Sequence, residues 1–171
     1  MTATAVRRGP AELILDAVER CLELAASWYA WDGRARVSQP TGELPGGTIF
    51  TPHKAVRRIA DHLVDHLAEI EALLADAETL PDTWHGRTVT LAGDWAPFTE
   101  ADLNEARNRL RRLGQVYALR LRGLDQAALD QPRGDAWTIR EIVEHVAGVT
   151  WYAEQVGYLR APRPEPPPAT P

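Results

Sequence analysis

The chain has 171 residues, 44% of them hydrophobic and 25% charged, with a formal net charge of -5 and an isoelectric point near 5.5. That length supports one domain with a sizeable core, and the acidic balance weighs against general nucleic-acid binding. There is no run of about 18 apolar residues, the start MTATAVRRGP lacks the apolar centre of a signal peptide, and Cys21 is the only cysteine. A cytoplasmic chain without an internal disulfide or a thiolate-cluster zinc site is therefore expected, with no membrane and no nucleic-acid partner.

Residues 1–8 lack an apolar pattern and are expected to fray, and Pro10 suits the first turn of a helix through AELILDAVERCLELAASWYAW. Ile14, Ala17, Val18, Cys21, Ala25 and Trp28 form its apolar face. The following DGRARVSQPTGELPGGTIF holds two prolines and four glycines without periodicity, so residues 33–50 read as a long connection able to cover a site.

Thr51 and Pro52 supply an N-cap and a first-turn proline for a second helix, expected to about Ala77. Ile59, Leu63, Leu67, Ile70, Leu73 and Leu74 form its stripe, and His62 and His66 lie within or beside it. Residues four apart stack on one helical face, so two imidazoles so placed can grip one ion, and an interior location obliges their ring nitrogens to find partners. His53 at the helix start and His85 in the next connection are expected to be exposed.

Residues 78–98 form that connection, in which TVTL could make a short extended piece without a sheet. Thr99 with Asp102 caps a third helix ending at Gly123, with Leu103, Ala106, Leu110, Leu113, Tyr117, Leu121 and Leu124 inward and its arginines on a solvated face. Thr138 with Glu141 caps a fourth helix from Ile139 to about Arg160, whose stripe of Ile139, Ile142, Val143, Val146 and Val149 has His145 at its edge. The tail APRPEPPPATP, residues 161–171, is too rich in proline to bury and is expected to be extended and disordered.

Four amphipathic helices imply an all-α four-helix bundle over residues 1–160, with cofactor sites built from side chains on facing helices. Packed side by side, the second and fourth helices would bring His62, His66 and His145 around one divalent ion, with positions left for water or substrate. The bland alternative keeps the three as hydrogen-bonded core or surface histidines. Around them, Trp28, Tyr117, Trp137 and Tyr152 are candidate walls of a substrate pocket, with packing as the competing role of each. Asp61, Asp65 and Glu144 read as surface or supporting carboxylates, and Cys21 as a small hydrophobe. No residue is singled out as catalytic.

The stretch GDAWTIREIVEHVAGVTWY resembles the signature of the DinB-like (DinB/YfiT-like) four-helix bundles, in which a Trp-Thr-Ile-Arg-Glu start leads to a histidine. ARNRLRRLGQVYALRLRGLDQAALDQP is similar to the helix and connection before it in that family, and RIADHLVDHLAEIEALL is similar to its fourth helix with the H-x-x-x-H pair. The resemblance covers about two thirds of the chain. It implies a bundle holding zinc or nickel on three histidines, here His145, His62 and His66. It also implies thiol-dependent transferase or isomerase chemistry, or hydrolysis, with a low-molecular-weight thiol such as mycothiol as cosubstrate.

The order departs from the family, because the paired histidines precede the single one. A circular permutation accounts for this: the third, fourth, first and second helices here would stand for the family's first to fourth, with residues 78–98 as the new joint. Against a metal-dependent enzyme acting on a small molecule stand two other readings. One is a non-catalytic stress or interaction bundle; the other is a small-molecule binder or cyclase-like enzyme using Trp28, Trp31 and Trp151. A homodimer is left open.

Overall fold

The computed structural model describes residues 9–37, 47–81, 84 and 88–159. Most of them are helical: α1 Pro10–Ala25, α2 Pro52–Leu74, α3 Glu100–Arg122, the short α4 Gln126–Leu129, α5 Ile139–Ala147 and α6 Thr150–Val156. The expectations for residues 1–8, His85 and the tail 161–171 fall outside the described residues.

α2, α3 and α5 begin where the sequence supplies a side-chain partner for orphan backbone N–H groups. Thr51 accepts the N–H of Lys54 ahead of α2, and Thr99 with Asp102 and Thr138 with Glu141 form capping boxes ahead of α3 and α5. α1 has proline at its start and no side-chain cap.

Several elements differ from the sequence-based reading, among them the second helix, which ends at Leu74 rather than near Ala77. The first helix ends at Ala25 and continues as a 3₁₀ turn over Trp28–Ala30. The expected fourth helix is two helices: through Gly148 and Val149 the chain makes i→i−3 bonds, from Gly148 N–H to His145, Val149 to Val146, Trp151 to Gly148 and Tyr152 to Val149. That tightening interrupts the α-helical ladder, and Gly157, at φ 74°, ends α6 in a conformation that favours glycine. The long connection after α1 carries a two-stranded antiparallel ladder, β1 Arg36–Val37 with β2 Ile49–Phe50, pairing Arg36 with Phe50. In the joint before α3, a 3₁₀ turn covers Ala92–Trp95.

α1 packs against α3, α5 and α6, and α2 packs against the same three helices, so α1 and α2 stand on opposite sides of the core. Ile14, Val18, Leu63, Ile70, Leu110, Tyr117, Ile142 and Val146 meet there, all nearly or fully buried. α3 approaches α1 closely at Gly114, where a Cβ would lie 3.3 Å from Val18 Cγ2. Arginines expected on a solvated face of α3 lie at its edges and bridge to other helices, Arg111 to Glu19 of α1 and Arg120 to Glu71 of α2. Such exposed pairs are screened by solvent and contribute little to stability. No described helix is long and apolar enough to cross a membrane.

Candidate metal centre

α2 and α5 bring His62, His66 and His145 together. One ring nitrogen from each lies within 4.8 Å of the others, and the ring centroids stand 4.6 Å apart for His62 and His66 and 4.9 Å for each of these with His145. All three side chains are half-buried. The pair is held by the four-residue repeat of α2, and His145 by the last turn of α5.

His66 has a defined orientation. Its Nδ1 is 2.6 Å from Glu69 Oε2 one turn further along α2. A carboxylate only accepts, so Nδ1 is the donor in this contact and Nε2 is the ring nitrogen left to face an ion. A carboxylate behind a ligating histidine commonly fixes its tautomer and raises its basicity. Glu69 was not singled out from the sequence, although its spacing of three from His66 on the same helix is the signal that finds it.

The donor set suits a divalent ion. Three nitrogens bound to one zinc at about 2.0–2.1 Å stand about 3.3 Å apart, and small side-chain rotations close a triangle of nitrogens that already lie within 4.8 Å. A neutral imidazole is a ligand for zinc, nickel, copper and iron alike.

Of the four candidate pocket residues, two flank the cluster. Trp137, 44% exposed, tilts over His145 at 4.8 Å between ring centroids, and Tyr152 of α6 lies 5.7 Å from His62. The other two are fully buried and engaged in packing. Trp28 donates its indole N–H to the Gly157 carbonyl at 2.8 Å and meets Phe98 edge-on, while the Tyr117 hydroxyl donates to the Leu63 carbonyl at 2.8 Å. Burial holds the Tyr117 hydroxyl above its ordinary pKa.

Of the neighbouring carboxylates, Asp61 pairs with Arg58 at 3.2 Å, and burial raises its carboxyl above the usual range against the pull of the two nearby guanidiniums. Cys21 is buried in α1, where desolvation pushes its thiol up to about 12. His53 is half-buried at the start of α2, its Nε2 3.3 Å from the Pro97 carbonyl and its ring against Phe98. Among the described residues, the three histidines are the one group of histidine, cysteine and carboxylate side chains close enough to share an ion. Compared with known proteins, the chain matches no protein-family model, no curated protein and no solved structure.

Proposed function

We propose that the chain is a DinB-like, metal-dependent enzyme: a four-helix bundle of circularly permuted order that holds a divalent ion, zinc or nickel, on His62, His66 and His145. The observation that carries this reading is the convergence of three imidazoles from two helices, with Glu69 orienting one of them. Three neutral ligands leave an ion its full charge and open coordination positions. The alternation of contacts, α1 and α2 each against α3 and the α5–α6 pair, is what a bundle of four helical columns requires.

A bound ion would supply Lewis acidity, lowering the pKa of a thiol or water toward about 7. The chain's own residues supply the rest. Glu69 keeps the Nδ1 proton of His66 and so presents Nε2 to the centre. Trp137 restricts the ring of His145 and, being exposed, is a wall that substrate can touch; Tyr152 is a wall on the His62 side. The reaction class this supports is thiol-dependent transfer or isomerisation, or hydrolysis, of a small molecule, with a low-molecular-weight thiol such as mycothiol as cosubstrate.

Metal analysis of protein purified without a histidine tag tests the proposal. The expected result is about one equivalent of divalent metal, lost in His66→Ala and in His145→Ala alike. Folded protein that takes up no metal overturns the reading. With metal present, assays with and without added thiol separate transfer from hydrolysis.

A further inference from the structure

The polar face of α2 does not stop at the histidines. Lys54, Arg58, His62 and His66 recur every fourth residue, so they line one ridge, each about 6 Å along the axis from the next. The two cations are deep: Lys54 is 0% exposed and Arg58 2%. Charges so placed are ordinarily paired and fully hydrogen-bonded, because leaving water is costly.

Here the pairing is incomplete. Asp94 is committed to Arg57, which reaches it through Nε at 3.2 Å and Nη2 at 2.6 Å, and to the Leu91 N–H at 2.7 Å. Asp61 accepts from Arg58 Nη1 at 3.2 Å and lies 3.9 Å from Arg57. Among the described residues, the Lys54 ammonium donates to the Thr90 hydroxyl at 3.0 Å and lies 5.5 Å from the centre of the Phe50 ring, and it makes no ion pair with a carboxylate. Among the described residues, three cations, Lys54, Arg57 and Arg58, thus face two carboxylates, Asp61 and Asp94. Arg58 Nε is buried and makes no hydrogen bond. The guanidinium sits 5.5 Å from the centre of the Tyr152 ring, the same ring that lies 5.7 Å from His62.

We propose that Arg58 is the anchor for a carboxylate on the substrate or cosubstrate, held one helical turn from the three-histidine cluster beside Tyr152. The ligand class is then a small carboxylic acid whose reacting atom lies within about one helical turn of its anionic group. A carboxylate supplies both missing quantities, an acceptor for Nε and the negative charge that balances the ridge. The planar fork of arginine matches it bidentately, and Lys54 adds field without competing for the same geometry. The inference rests on the metal-centre reading for the position of the reacting end, and on the Lys54–Arg58 ridge alone for the anion.

Binding measured by NMR titration of the full chain tests it. Metal-free protein is titrated with propionate and with propionamide, and zinc-loaded protein with 3-mercaptopropionate and its amide. The acid is expected to bind about tenfold more tightly than the amide in each pair, a difference expected of a charge-assisted contact, and Arg58→Gln is expected to erase the preference without changing the affinity for the amide. If Arg58→Gln does not fold, Arg58→Lys, which keeps the charge and loses the fork, is expected to shrink the preference. Equal binding of acid and amide by the natural chain, no binding of either probe, or an unchanged preference in a folded variant overturns the proposal. A chain that prefers propionate yet takes up no zinc supports the anion site and sinks only the metal centre.

Discussion

Glu69 Oε2 lies 2.6 Å from Nδ1 of His66, and that contact leaves Nε2 of the same ring as the nitrogen available to an ion shared with His62 and His145. Removing the negative charge while keeping the shape, Glu69→Gln, is expected to weaken metal affinity about 10- to 100-fold, the usual cost of losing such a partner. Competition with a chelator of known affinity measures it. An unchanged affinity would show that Glu69 is only a surface partner of His66.

Metal held between α2 and α5 should stabilise the fold, because it binds the folded state and not an arrangement the unfolded chain keeps. At about 100 times the dissociation constant the gain is about 2.7 kcal/mol, which for a chain of this size corresponds to roughly 5–10 °C in melting temperature. Calorimetry with added zinc and with chelator reads the difference directly. His145→Ala should melt at the same temperature in both.

Cys21 is expected to resist thiol reagents. With its pKa pushed up to about 12 by burial, almost no thiolate exists at pH 8. A disulfide reagent should therefore label the chain only in denaturant, and prompt labelling of native protein would show that the α1 face opens.

The capping box of α5 gives a pH dependence with a definite sign. Hydrogen bonds from the Thr138 backbone and hydroxyl hold the Glu141 carboxyl below its ordinary pKa. A depressed carboxylate contributes stability that is present above the unfolded value, about 4.3, and is lost as pH falls through the lower folded value. Urea denaturation between about pH 5 and pH 3, the window around that value, should show a shallower loss of stability in Glu141→Gln than in the natural chain. Parallel curves would mean that the box contributes nothing measurable.

Trp28 was a candidate pocket wall, and its burial gives the opposite expectation for function. Trp28→Phe removes the donor to the Gly157 carbonyl and part of a fully buried ring, which should cost about 2–4 kcal/mol by chemical denaturation. Metal content and thiol-dependent activity should be unchanged. Trp137→Ala should do the reverse, with little effect on stability and a clear effect on substrate affinity, since Trp137 is exposed and lies against His145.

Much of this arrangement was readable from periodicity and caps. Thr51, Thr99 and Thr138 marked the three helix starts, and the four-residue spacing of His62 and His66 placed them on one face before any tertiary contact was known. What escaped depended on distant partners. The break at Gly148 is set by a run of i→i−3 bonds, and apolar periodicity runs straight across it because Val146, Val149 and Ala153 are buried on both sides. Tyr117 and Trp28 have the composition of pocket walls, and only their bonds to Leu63 and Gly157 assign them to packing. Periodicity does not single out Arg58, and only its burial against Tyr152 and Asp61 sets it apart from the other arginines.

The distance along the chain between the two halves of the histidine cluster has a consequence for its synthesis. His62 and His66 emerge together on a helix able to hold them in place; His145 follows only after another 145 − 66 = 79 residues have been made. A chain stopped anywhere in that interval carries the pair without its third member and has no closed triangle of nitrogens to offer. Completion of the cluster therefore waits on the synthesis of α5, so that tight capture of an ion would distinguish chains that extend through α5 from shorter ones.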